Sequence, residues 1–476
     1  MTDNRFTVRP HFIYAANLLY PYLTLLIIPV VRGLMQYLSD GGGALSSYLA
    51  AEAVVLSIAV TVAFLKLRRT RLIFDNGINV TKGLFCRVSY RIPPSASKVI
   101  VLESDPILHC LGAYRLKIYT ESGLRKKPDE CIPIRKADAY NIYNLFGVKG
   151  EAVRSNTKAD VIVSAALSSS AAGLLLSIPA VKVTVSLLGE SVPSLLPKLR
   201  NAGMSLEWLI SVGRYLTIAL IIGYFVSFTV LLLRNYGFSS SRSNDRIMLN
   251  SGRLPHRTVF LNNRSVNAVR TVTAPLMLLT KKCAVKFSSC GYGRRRGEIG
   301  LLVPCVKPSL AKGLVQWLLP DYVTAAERIR PCRKGVRRSM CLPTFMITAS
   351  AVSVLAVRRF RPEFFKPALL IWLMTAVFAA VLLLMRLYAL KNGGFSLSNG
   401  MVWIKGLSGF RVNELQCGLK SVHCIRLSQT PFDRRHGHCT VKLRLIGKNR
   451  ETAAQRYMDY ENIRKIFRQK QRRDKI

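Results

Sequence analysis

Six apolar stretches, at 12–31, 48–67, 161–181, 208–233, 341–357 and 368–388, constrain this chain more than anything else in it. A helix needs about 20 largely apolar residues to cross a bilayer, because lipid offers no water to satisfy exposed backbone groups. The short polar breaks within each pair predict three helical hairpins, the first closed by a Gly-rich turn at 41–43. The first stretch begins after eleven residues, is longer than the apolar core of a secretory leader and lacks a small-residue cleavage site, so it is expected to be retained. The fifth is the shortest.

Charge then gives the hairpins a direction. Half of the 476 residues are hydrophobic, yet 70 Lys+Arg stand against 25 Asp+Glu, a net charge of +45. A disordered basic chain has too few apolar residues for this composition, and a histone-like one would not reach a mean hydropathy of +0.23. The basic residues crowd one set of helix ends: Lys66, Arg68, Arg69 and Arg71 after the second stretch, Arg234, Arg242 and Arg246 after the fourth, and Arg328, Arg330, Arg333, Lys334, Arg337 and Arg338 before the fifth. Such clusters favour the cytoplasmic side, which is expected to hold both termini. The turn at 358–366, with four basic residues, runs against the trend. Eleven cysteines (Cys86, Cys110, Cys131, Cys283, Cys290, Cys305, Cys332, Cys341, Cys417, Cys424 and Cys439) all fall in or beside the segments expected on that side. An odd set without CxxC spacing fits a reducing compartment and predicts neither a disulfide framework nor a zinc site.

A soluble block follows each hairpin, at 70–150, 240–325 and 392–470, and the three share a register. The first reads Pro106-x5-Gly112-x3-Leu116-Lys117-Ile118, the second Pro275-x5-Lys281-x3-Val285-Lys286-Phe287, the third Pro431-x5-Gly437-x3-Val441-Lys442-Leu443. Alternating runs (VIVLESDP, AVRTVTAP, CIRLSQTP) lead into each proline, which predicts half-buried strands joined by a Pro-centred turn. Apolar residues at helical spacing predict a helix closing each block, at 136–146, 308–319 and 460–469. The expected organisation is a hairpin at 1–69, a β unit at 70–150, a hairpin at 158–234, a β unit at 240–325, a hairpin at 340–390, a β unit at 392–470 and a basic tail at 471–476.

The segment 71–123 resembles the bacterial pleckstrin-homology-like membrane proteins of the YdbT type, in which a v-x-v-x-Q-S-P-x-x-R-x-x-G stretch precedes a further strand. Here Val101-Leu-Glu-Ser-Asp-Pro106 with Gly112 stands for it in the first block, and Leu427-Ser-Gln-Thr-Pro431 with Arg434, Arg435 and Gly437 in the third. The third is closer to the pattern, the first carrying Glu103 and His109, while the second departs most, with Lys281 in place of glycine. The resemblance implies an α+β membrane protein of the bacterial cell membrane, three transmembrane hairpins alternating with three small antiparallel PH-like domains, each ending in a helix. It also implies a smaller membrane partner carrying one such domain, or self-association, and a role in envelope stress or resistance to membrane-active peptides.

No GxSxG elbow, Walker A loop or HExxH is present, and acids are scarce, so no enzyme, cofactor or metal is expected. His436 and His438 fall two apart beside Cys424 and Cys439, a spacing that on a strand allows a metal pair and otherwise marks an exposed turn. Gly291-Tyr-Gly-Arg-Arg-Arg-Gly297 reads as a basic hairpin loop, with a phosphate nest as the other reading. Glu52 and Arg214 lie at similar depth within their apolar stretches, where an ion pair would offset part of the burial cost and separate snorkelling is the alternative. Two basic runs are candidate contacts for anionic lipid headgroups, Arg333, Lys334, Arg337 and Arg338 beside the fifth stretch and Lys465, Arg468, Lys470, Arg472 and Arg473 near the end. No nucleic-acid motif accompanies them. The expected function is a non-enzymatic protein presenting interaction domains to lipid or protein, with a small transporter using Glu52 and Arg214 as the alternative.

Overall fold

The computed structural model describes residues 6–40, 44–75, 77–94, 97–120, 128–148, 152–153, 161–163, 165, 206–252, 255–289, 292, 300–322, 328–332, 334–360, 362, 365–398, 400–446 and 453–473. The chain divides into two compact units, one of Met1–Ala152, Ser241–Ser265 and Ser289–Glu298, the other of Val153–Ser240, Val266–Ser288 and Ile299–Ile476.

In the first unit, β1 (Phe6–Val8) leads into a hairpin of α1 (Ile13–Asp40) and α2 (Ala44–Arg69). A meander of β2 (Arg71–Phe74), β3 (Ile78–Lys82) and β4 (Val88–Ile92) follows, and with β1 it forms a sheet in the order β1-β2-β3-β4. Then come β5 (Ser97–Ser104), α3 (Pro106–Cys110), β6 (Ala113–Thr120), β7 (Glu130–Arg135), α4 (Lys136–Phe146) and the short β8 (Ala152–Val153). The first sheet buries Leu72, Phe74, Ile78, Val80 and Ile92 against Ile100, Leu102, Leu116, Ile118, Ile132 and Ile134 of β5–β7, and Ala139 and Ile142 of α4 close the core. Period-two alternation places those side chains on one face of each strand, and the three-residue step from Ala139 to Ile142 does the same on the helix. The edge of β5 is covered by the next meander, β9 (Ser239–Ser243), β10 (Arg246–Ser251) and β11 (His256–Asn262), in a sheet ordered β7-β6-β5-β11-β10-β9-β8.

The second unit repeats this construction. It holds α5 (Leu206–Asn235), β12 (Val266–Thr273), α6 (Pro275–Leu279), β13 (Cys283–Ser289), β14 (Leu301–Val306) and α7 (Pro308–Leu318). A hairpin of α8 (Lys334–Phe360) and α9 (Phe365–Asn392) and a meander of β15 (Gly394–Ser398), β16 (Met401–Ser408) and β17 (Arg411–Gly418) come next. The chain closes with β18 (Val422–Ser428), α10 (Pro431–Arg435), β19 (His438–Leu445), β20 (Ala453–Asp459) and α11 (Tyr460–Arg473). One sheet runs β14-β13-β12-β17-β16-β15, the other β18-β19-β20. Phe395, Val402, Ile404 and Leu415 of the first pack on Val441, Leu443, Ala453 and Met458 of the second, with Ile463 of α11 closing this core.

Several expectations are altered. The 240–325 block does not keep its strands together: β9–β11 extend the sheet of β5–β7, whereas β12–β14 join β15–β17. The Pro-centred turns are five-residue helices, each with its proline in the first turn. The basic tail does not start at 471, since α11 continues to Arg473. Among the described residues, three helical segments are long and apolar enough to cross a membrane, Ala50–Arg69, Arg337–Phe360 and Thr375–Asn392, with shorter apolar runs at Ile13–Ile28 and Ile221–Asn235. The expected span 161–181 lies outside the described residues beyond its first five positions.

Candidate functional site

Within the second unit, the sheet of β12, β17 and β16 forms the floor of an open pocket of about 850 Å³. Its floor offers Thr271, Thr273, Gln416, Glu414 and Lys405; the first turn of α7 brings Pro308, Ser309 and Lys312 to one wall, and the end of α9 brings Lys391 and Asn392 to another. Arg328 and Arg330, on the strand-like segment entering α8, complete the lining.

The pocket's electrostatics turn on one partly buried acid. Glu414 accepts a hydrogen bond from Lys405 Nζ at 2.7 Å and another from Trp403 Nε1 at 2.9 Å. Burial by itself would raise its pKa, but Lys405, those two hydrogen bonds and the nearby Arg328 hold it below the ordinary carboxylate value. Arg328 in turn lies over the Trp403 ring, 4.5 Å from its centroid. Glu414 is thereby neutralised by its own neighbour. Lys312, Arg328, Arg330 and Lys391 remain as exposed cations around hydroxyl and amide groups, next to the N-terminal turn of α7. Free backbone N–H groups and the helix dipole at such a turn favour an anion. Lys391 and Asn392 also end the apolar segment Thr375–Asn392, so the pocket opens where an apolar helix meets polar structure.

Glycines make the close packing beside this wall. A Cβ on Gly393 would lie 2.1 Å from Ala389 O, and one on Gly406 would lie 2.1 Å from Ala454 O, with buried Gln455 against both.

The residues picked out from sequence are dispersed. Arg338 is committed to Asp433 of α10, Nη1 to Oδ1 2.8 Å, and lies over Phe432, which removes it from the free lipid-facing set. Arg337 is exposed on α8; Lys334 begins that helix and Arg333 lies outside the described residues. Lys465 and Arg468 are exposed on α11, whose last turn carries Lys470, Arg472 and Arg473. Glu52 is half-buried on α2, Arg214 lies on α5 with its side chain outside the described residues, and the two belong to different units. His436 and His438 stand 6.2 Å apart, but His436 Nδ1 meets Phe432 O at 2.8 Å, and no three-residue metal cluster exists among the described residues. Apart from Tyr292, the 291–297 loop lies outside them too.

Pro106, Pro275 and Pro431 do behave alike, and so do the residues six positions on: Gly112 (φ 64°), Lys281 (φ 51°) and Gly437 (φ 67°) share a left-handed backbone. Sequence reasoning missed the pocket itself. Its cations come from four separate segments, and only Arg328 and Arg330 had drawn notice, as topology markers.

Comparison with known families gives one match: the model of the bacterial PH domain fits residues 24–145 and 351–474, just over half of the chain. Each matched stretch runs from a helical hairpin through a meander, a Pro-led helix and a closing helix, and the intervening block is unmatched. No curated protein and no solved structure matches.

Proposed function

The chain belongs to the bacterial PH domain family, and from that premise we propose that it is a non-enzymatic, multi-pass membrane protein whose PH-like domains hold anionic lipid headgroups at the cytoplasmic surface. The observation that carries this reading is the basic pocket at the polar end of α9, where Lys312, Arg328, Arg330 and Lys391 surround neutral hydrogen-bonding groups. The helices support the membrane part. Leu25, Val352 and Leu355 are each more than three-fifths exposed on α1 and α8, and a soluble surface rarely leaves large apolar side chains open in such numbers. The family is generally non-enzymatic, which fits a pocket whose one acid is already paired.

Each cation close to an anionic surface contributes about 1 kcal/mol. The full-length protein in nanodiscs of phosphatidylcholine with increasing phosphatidylglycerol provides the test, read by retention of a labelled anionic lipid. Lys312→Gln, Arg330→Gln and Lys391→Gln together should lower its enrichment by roughly 100-fold at low salt, taking about 1 kcal/mol for each charge. Equal retention by this triple variant and the parent would remove the pocket from the account.

A further inference from the structure

The chain makes one kind of strand joint twice and leaves both halves of a third unjoined. β5 pairs antiparallel with β11 from Ser104↔His256 to Val99↔Leu261, and β12 pairs antiparallel with β17 from Thr273↔Val412 to Ala268↔Cys417. In both, the strand leading into a Pro-led helix takes, from two residues before the proline, the third strand of the next meander. β18 leads into the third such helix, at Pro431, and among the described residues it pairs with β19 alone. β4 is the third strand of the first meander, and among the described residues it pairs with β3 alone. An uncovered edge of backbone N–H and C=O groups is a ready template for another strand.

We infer that β18 of one copy pairs antiparallel with β4 of a second copy, joining full-length chains head to tail. The occupant follows from the two internal joints: a third meander strand covers β5 and β12, and β4 is the one such strand left over among the described residues. Register follows as well. Placing Gln429 opposite Val88, as Ser104 stands opposite His256, sets the core-facing pairs Ile425–Ile92 and Leu427–Tyr90 together, both flanking cores already formed. On the outer face the same register sets Ser428 against Ser89 and exposed Arg426 against exposed Arg91. Like charges directly opposite are destabilising, but by less than the apolar pairs and the backbone ladder return. Such a joint uses two different surfaces, so it either closes a ring or extends a row. It rests on strand topology and not on the lipid reading, so either can fail alone.

The test mixes two differently tagged full-length chains in nanodiscs or detergent, one Ser89→Cys and one Ser428→Cys, under mild oxidation. A disulfide joining the two tags is expected, above the background that each variant gives by itself. Arg426→Glu turns the repulsive outer pair into an attractive one and should lower the protein concentration for association about 5-fold at low salt; Arg91→Glu with Arg426→Glu should return it to the parent value. Three results would overturn the proposal: a monomer at every concentration with no inter-tag disulfide, a Ser89→Cys/Ser428→Cys double variant that closes only within one chain, or a different polypeptide captured at Ser428→Cys in native membranes.

Discussion

Lys117 and Lys286, at matching positions of the first two blocks, show how much one missing partner matters. Lys117 on β6 has its Nζ 2.5 Å from Glu103 Oε2, and Arg257 joins the same carboxylate at 3.1 Å. Burial alone would raise Glu103, yet Arg257, Lys117 and Arg115 hold it below the ordinary carboxylate value. In the second block Val272 stands where Glu103 stands in the first, counting back from the proline. Lys286 is left half-buried, and burial together with Arg411, Arg270 and Arg234 pulls its pKa down to about 8. The unfolded chain titrates this amine at 10.5, so between about 8 and 10.5 the unfolded state holds the extra proton and stability rises with pH. Below that window the penalty is present in full. Lys286→Met is therefore expected to stabilise the protein by about 1–3 kcal/mol at pH 7 and to gain nothing above pH 10.5 or so, measured by thermal or denaturant unfolding across pH. Glu414 has the opposite sign: its depressed pKa lends stability above the ordinary carboxylate value that is lost as pH falls through the folded one. Glu414→Gln leaves Lys405 without its carboxylate, and a loss of about 3 kcal/mol is expected from the same unfolding assay.

Among elements, the Pro-led helices explain why a tolerant position and an intolerant one look alike. A left-handed residue must follow each short helix for the chain to turn into the next strand, and glycine does this without a Cβ clash. Lys281 does it at φ 51°, so Lys281→Gly is expected to stabilise by about 1 kcal/mol, and Gly112→Ala to destabilise by a similar amount. Tyr457 is the sharper case, an aromatic residue at φ 61° on β20 with Gly335 of α8 pressed against it; a Cβ on Gly335 would lie 2.4 Å from Tyr457 Cβ. Gly335→Ala should lower the unfolding midpoint more than Gly112→Ala does, because backbone on both sides must move. Much of this scale was legible in sequence. Period-two runs marked β5, β12 and β18, and the shared spacing from Pro106, Pro275 and Pro431 marked matching turns, whereas the lysine at 281 read as a departure and the structure gives it the same left-handed backbone as Gly112 and Gly437. What alternation does not encode is which strand covers an edge, so the pairing of β5 with β11 was unreadable. The pocket was hidden for a related reason: Lys312, Arg330 and Lys391 have no common spacing, and only the fold brings them around one pocket.

For the whole molecule, apolar helices alternate with strand-rich segments among the described residues, but the sheets do not respect the blocks. A chain lacking 240–325 loses the strands that cover β5 and β17, not one self-contained module. Its first and third blocks are expected to aggregate or lose protection of β5 and β17 in hydrogen exchange, whereas independent modules would keep theirs.

The joint between β5 and β11 also sets an order of events during synthesis. Glu103 meets Arg257 only after the whole of the intervening segment has been made. β5 therefore waits, edge open, while about 150 residues pass the ribosome at roughly 5–20 residues per second. An interval of ten seconds or so, with an uncovered strand beside a membrane, is a window in which a nascent neighbour on the same message competes with the chain's own later half.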